Sequence, residues 1–150
     1  MAGLWFEEFV VGHIFQHEIR RTVTEADNML FCSMTYNPAS IHIDYAYAEQ
    51  TEFGRPLVNS IFTLGLVFGL TIQDTTLCTT VANLGMSETV FPKPVFAGDT
   101  IRAETEVMEI RPSTSRPGQG IVVFEHRGLN QRDELVCRSR RAALMMGRPA

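Results

Sequence analysis

The sequence predicts a single α+β domain, residues 1–150, in which an antiparallel sheet wraps around one long central helix. Three observations lead there. Residues 60–73 are apolar on nearly every side, the pattern of a helix with no face turned to water. From residue 79 onward β-branched residues recur with period two, broken at turn signals such as Gly98-Asp99 and 130–133. A chain of 150 residues also holds one ordinary core, so the helix and the strands must share it.

Taken in order, residues 4–12 read as an extended lead-in. Residues 14–23 read as a strand, with Ile14, His17, Ile19 and Val23 set among Gln16, Glu18, Arg20 and Arg21. Thr24, with Asp27 three residues on, is a helix N-cap, and Ala26, Met29, Leu30 and Ser33 follow at helical spacing. That helix stops before Asn37-Pro38, because a residue preceding proline is pushed out of the α region. Residues 37–42 read as an irregular polar loop, Asp44 as the cap of a short helix over 45–50, and Gly54-Arg55-Pro56 as a turn. Asn59 caps the central helix, whose broad face is Ile61, Leu64, Val67, Phe68 and Ile72. Gly65 and Gly69 each cost about 1 kcal/mol in helix propensity and predict close approach of another backbone. Strands are expected over 79–84, 87–91, 100–110, 120–129 and 134–145, with a Ser-, Pro- and Gly-rich loop over 112–120.

Composition removes several function classes. The net charge is −4, and no basic stripe suits a nucleic acid. The densest basic run, Arg138, Arg140 and Arg141, reads as the solvated face of a strand. Cys32, Cys78 and Cys137 lack metal-ligand spacing and are odd in number, which predicts a reducing, cytoplasmic setting and three small buried residues. Glu7 and Glu8 exclude a standard signal peptide, and the longest apolar stretch, 61–72, is too short to cross a membrane. His13, His17 and His126 show no convergence with other ligands, so no metal site is expected.

The chain resembles the MaoC-type hydratase branch of the hotdog-fold superfamily over roughly residues 10–145. Thr24, Asp27, Phe31, Asn37, His42 and Asp44 match the family's first motif without a gap. Phe53, Arg55, Pro56, Val58, Asn59 and Ser60 match the approach to the central helix, and Phe91, Pro94, Val95, Gly98 and Asp99 a later signature. Two positions depart from the pattern: Asn37 stands where the family carries a catalytic aspartate, and Asn59-Ser60 where it carries His-Gly. Asn37-Pro38, His42, Asp44, Asn59-Ser60 and Asp74-Thr75-Thr76 resemble a narrower group that acts on branched dicarboxylic CoA thioesters such as mesaconyl-CoA and itaconyl-CoA.

The resemblance implies a single hotdog fold and reversible hydration of an α,β-unsaturated acyl-CoA. No cofactor is implied beyond the CoA of the substrate. Hotdog domains pair through sheet edges, so a homodimer or a dimer of dimers is expected. His42 carries the loop's imidazole, the side-chain type suited to acid–base work near neutral pH, and it is expected to be the general base. Asn37 cannot accept the proton, but its amide can orient water. Asp44, Glu52 and Asp27 are the carboxylates that could restore a dyad, although Asp27 and Asp44 also read as caps. Ser60 offers a backbone N–H at a helix start to the thioester oxygen. Asn59 and Asp44 are expected near the substrate, and Arg55, Arg102, Arg138 and Arg140 are cations able to meet CoA phosphates or a substrate carboxylate. Phe62, Phe68, Met29 and Met34 can line an acyl tunnel, but most of them are expected to be plain core. The alternatives are a hotdog thioesterase, for which Asn37 supplies no carboxylate, and an acyl-CoA-binding protein that has lost the dyad.

Overall fold

A computed structural model describes residues 3–149. Six strands form one antiparallel sheet in the order β1-β4-β5-β6-β3, with β2 also on β4: β1 (Ile14–Gln16), β2 (Arg21–Thr22), β3 (Thr80–Val90), β4 (Thr100–Pro112), β5 (Gln119–Leu129) and β6 (Leu135–Met146). Four helices accompany them: α1 (Glu25–Met34), α2 (Ser40–Ile43), α3 (Tyr45–Ala48) and α4 (Ser60–Thr75). The α+β class and the wrapping of the sheet around α4 follow the expectation.

The long strands β4, β5 and β6 alternate as half-buried strands should. Ile101, Ala103, Thr105 and Val107 of β4 turn inward, as do Val122, Phe124 and His126 of β5. Leu64, Val67 and Leu70 of α4 pack on this surface with Val58, Val95 and Val136. A second cluster, built on Phe9, Val107, Val122 and Phe124, closes the far end of the sheet under the N-terminal segment.

Several expectations are corrected. The strand over 14–23 is interrupted: His17 leaves the ladder and turns inward, where it bonds Asp74 and Thr105. The lead-in contains a 3-10 turn, Phe6–Glu8. The two strands over 79–91 are one, β3, which absorbs irregularities through three register shifts against β6. The polar loop 37–42 contains the start of α2. The cysteines are not all buried, because Cys78 sits exposed in the turn after α4 with φ of 61°. Burial pushes the Cys137 thiol up to about 12. Arg141 is not part of a solvated face: strand alternation turns it inward while Arg140 turns out to Glu88 and Glu125.

The central helix also departs from expectation. Among the described residues, a Cβ at Gly65 or Gly69 would meet nothing within 4 Å, so neither accommodates a neighbouring backbone there. With Ile61, which is 57% exposed, they form a stripe open to solvent. The close approach is on the sheet instead: a Cβ at Gly128 would overlap the Val67 side chain.

Candidate active site

Thr24 and Asp27 cap α1 reciprocally, the Asp27 N–H donating to Thr24 Oγ1 at 3.2 Å and the Thr24 N–H to Asp27 Oδ2 at 2.8 Å. Burial works to raise the Asp27 carboxyl, but hydrogen bonds from Arg21 and Thr24 prevail and hold it below its ordinary range. Asp27 therefore has a structural role at the start of α1 and no contact with His42.

One turn further on, Asn28 is buried and ties the site together. Its Nδ2 donates to the carbonyls of His42 (3.0 Å) and Leu57 (3.2 Å), and its Oδ1 accepts from the backbone N–H of Asn59 (2.9 Å). Three segments distant in sequence, α1, α2 and the entrance to α4, are fixed by this one amide.

His42 lies half-buried on α2. Its Nδ1 stands 2.6 Å from the carbonyl oxygen of Leu57. A carbonyl only accepts, so Nδ1 carries the proton in the neutral imidazole and Nε2 is left with a lone pair. The Leu57 N–H donates back to the carbonyl of Ile41 at 3.0 Å, which locks the two segments together. This arrangement presents an oriented base.

Asn37 ends the turn after α1. Its Oδ1 accepts from the Ala39 N–H at 3.0 Å, an Asx turn that leaves its amide NH2 as the group able to meet a ligand. It lines a recess of about 220 Å³ with Cys32, Ser33, Tyr36, Pro38 and Ile43.

Ser60 is the first residue of α4. Asn59 caps the helix through Oδ1, which accepts from the Ile61 N–H at 2.9 Å. The Ser60 N–H donates to no described residue and sits at the positive end of a 16-residue helix. Ser60 opens on a second recess of about 220 Å³, whose wall includes Phe53, Leu57, Thr63, Phe91, Pro94 and Val136.

The remaining sequence-predicted residues fall less centrally. Asn59 is 5% exposed and its polar atoms serve the cap and Asn28, so its contribution is to shape the site. Asp44 is exposed and caps α3, accepting from the Tyr47 N–H at 3.0 Å. Glu52 is exposed, and the His42 ring bonds the Leu57 carbonyl instead of a carboxylate. The Arg55 guanidinium lies 4.0 Å from the Phe96 ring centre and borders a smaller recess with Glu25, Tyr45 and Pro56. Arg102 is engaged by Glu104 and Asp133, away from this region. Among the described residues no three His, Cys, Asp or Glu side chains gather as a metal site would require.

Sequence reasoning missed Asn28. The signal was present: asparagine is a poor residue for a helix interior, and at position 28 it shares a face with Cys32.

A model of the MaoC like domain matches residues 8–126. The chain is 36% identical over 141 residues to the mesaconyl-CoA hydratase of Cereibacter sphaeroides, covering 90% of this chain and 39% of that protein. It is 32% identical over 135 residues to the beta-methylmalyl-CoA dehydratase of Chloroflexus aurantiacus, covering 89% and 38%. The chain thus spans less than two-fifths of the length of these two relatives. The structure of a MaoC-like dehydratase from Rhodospirillum rubrum superposes with a TM-score of 0.84 at 30% identity, covering 99% of this chain and 100% of that one. A double-hotdog protein of Mycobacterium tuberculosis superposes with a TM-score of 0.88 at 22% identity, covering 98% and 45%, which identifies the fold as a hotdog.

Proposed function

The chain belongs to the MaoC like domain family, and from that premise we propose that it is a hydro-lyase adding water reversibly to an α,β-unsaturated acyl-CoA. The observation that carries the reading is the His42 Nδ1 to Leu57 carbonyl bond of 2.6 Å, which leaves Nε2 as a base beside the entrance to α4.

In the proposed reaction, a water proton passes to His42 Nε2 as the water oxygen bonds to Cβ. The electron pair of the double bond moves toward the thioester, and the Ser60 N–H receives the oxygen as it becomes enolate-like. The imidazolium then returns a proton to Cα. The amide NH2 of Asn37 orients the attacking water or the substrate. No metal or redox group enters these steps, and CoA is part of the substrate. Arg55, stacked on Phe96, is the cation proposed to meet a CoA phosphate.

The relatives named mesaconyl-CoA hydratase and beta-methylmalyl-CoA dehydratase support a branched dicarboxylic acyl group. A homodimer is also proposed, supported by two uncovered surfaces. One is the free edge of β3, where Leu84 and Met86 are 51% and 50% exposed. The other is the Ile61–Gly65–Gly69 stripe of α4. Among the described residues no helix is long and apolar enough to cross a membrane, and a cytoplasmic setting is proposed with the substrate.

The Asx turn of Asn37 favours one second reading, an acyl-CoA-binding protein without turnover, because the oxygen that would receive water is already engaged. Incubation with crotonyl-CoA, mesaconyl-CoA and itaconyl-CoA separates the readings. Loss of the conjugated thioester absorbance supports hydration, release of free thiol indicates a thioesterase, and saturable binding with neither signal indicates the binding protein.

A further inference from the structure

Beneath α4 lies a buried polar cluster that the hydration chemistry above does not use. Arg141 is 6% exposed, and its Nε and Nη2 are buried without a hydrogen-bond partner. The guanidinium carbon stands 5.3 Å from the Phe68 ring centre and 5.4 Å from that of Phe124. His126, wholly buried, stacks on Phe124 and meets Phe68 at a tilt of 58°, and its Nε2 is also without a partner among the described residues.

A hydrogen-bonded chain runs from Asp74 to His126. A neutral His17 donates from Nδ1 to the Asp74 carboxylate (2.8 Å) and accepts at Nε2 from the Thr105 hydroxyl (2.8 Å). The Thr105 oxygen then accepts from His126 Nδ1 (2.8 Å), so Nε2 of His126 holds a lone pair. Burial first, and then the charge of Arg141, push His126 well below the ordinary histidine range, so it is neutral. Burial lowers Arg141 only to about 10, which leaves it cationic at neutral pH. The cluster therefore carries one positive charge, and no described carboxylate bonds to it. Glu125, the neighbouring acid on β5, is taken by Arg127 and Arg140 on the outer face.

An unpaired buried charge is costly, and an anionic ligand group would offset that cost. The unpaired atoms define the chemistry of that group. Nε and Nη2 form one edge of the guanidinium, the edge that holds a carboxylate through two parallel hydrogen bonds. The lining of the Ser60 recess does not include Arg141, which lies further along β6. Phe68 is eight residues along α4 from Ser60, about 12 Å at 1.5 Å per residue, and helical side chains lean back toward the N-terminus. Val136, in the wall of the Ser60 recess, lies on the same strand as Arg141.

We propose that Arg141 receives the distal carboxylate of the acyl group, and so selects dicarboxylic over monocarboxylic acyl-CoA substrates. Phe68 and Phe124 hold the guanidinium in place, and the Asp74–His17–Thr105 chain positions a neutral His126 beside it. This rests on the acyl-CoA reading above and deepens it.

The test compares wild type, Arg141→Met and Arg141→Lys with mesaconyl-CoA and crotonyl-CoA, together with thermal melting and light scattering. In Arg141→Met the ratio of kcat/KM for mesaconyl-CoA over crotonyl-CoA falls about 100-fold, chiefly through KM, as expected for loss of a charge-assisted two-bond contact. Arg141→Lys retains part of that ratio. Because an uncompensated buried charge is removed, the melting temperature of Arg141→Met stays level or rises. An unchanged ratio, an equal loss for both substrates, or a dimer that dissociates on substitution overturns the proposal; the last assigns the guanidinium to a subunit contact. If wild type turns over neither substrate, the hydratase reading fails, and calorimetry then decides this inference. Tighter binding of mesaconyl-CoA than of crotonyl-CoA that Arg141→Met abolishes sustains it, and equal binding overturns it.

Discussion

The side-chain oxygen of Asn28 accepts the backbone N–H of Asn59 at 2.9 Å, so an asparagine in the first helix sets the entrance of the central one. Its amide nitrogen meanwhile holds the carbonyls of His42 and Leu57. Removing the amide leaves one buried N–H and two carbonyls with a partner lost. Asn28→Ala is expected to cost about 1–3 kcal/mol in chemical denaturation. It should also lower kcat more than it raises KM, because His42 and Ser60 lose their mutual alignment. A stability loss with unchanged kcat would limit Asn28 to a structural role.

Asn37→Asp should raise kcat. The Ala39 N–H can still donate to either carboxylate oxygen, so the turn is retained. The substitution supplies a second proton acceptor in the segment that leads into α2, and general-base assistance of even partial efficiency gives on the order of a tenfold gain. Steady-state hydration assays check this. An equal or lower kcat would mean that the amide NH2 of Asn37 is the working group.

Gly128 lies where Val67 of α4 meets β5, and an added methyl would overlap that side chain. Gly128→Ala is expected to destabilise the protein by about 1–3 kcal/mol through overpacking. Gly65→Ala and Gly69→Ala meet no atom among the described residues and should gain helix propensity in an isolated protomer. If the open stripe of α4 is a subunit contact, the same two substitutions weaken the dimer in light scattering, which separates the two effects.

Stability should fall as the pH drops below the ordinary histidine value of about 6.5. His126 is held well below that value by burial, so the unfolded chain binds a proton that the folded chain does not. By linkage, stability rises with pH through the window between the folded and unfolded values, by at most about 1.4 kcal/mol per pH unit for one proton. The contribution is fully present above about 6.5 and is lost on acidification. Denaturation at pH 7 and pH 5.5 should show the difference, and His126→Gln should reduce it. An unchanged difference in His126→Gln would move the effect to other groups.

Much of this molecule was legible in the sequence because its signals are local. Thr24 and Asp27, and Asn59 before an apolar run, mark helix starts through backbone groups they satisfy themselves. The alternation of β4 to β6 follows from strand geometry. What was missed depends on contacts between distant segments. His17 breaks a strand because Asp74 and Thr105, 57 and 88 residues away, bond it. The glycine that permits close packing is Gly128, since helix spacing alone cannot say which side of a helix–sheet contact yields space. Arg141 read as surface because it follows Arg138 and Arg140, although period two sends it to the opposite face from Arg140. At the candidate site, the motif pointed to His42 and Ser60, while the carbonyl of Leu57 that fixes the His42 tautomer leaves no trace in side-chain identity.

The oriented base is the central claim, and hydration of mesaconyl-CoA and crotonyl-CoA by wild type and His42→Ala tests it most directly. The account predicts loss of the conjugated thioester absorbance with wild type and a kcat lower by about 10²–10⁴-fold in the folded variant, the range of general acid–base catalysis. Hydration that continues at the wild-type rate in His42→Ala would contradict it.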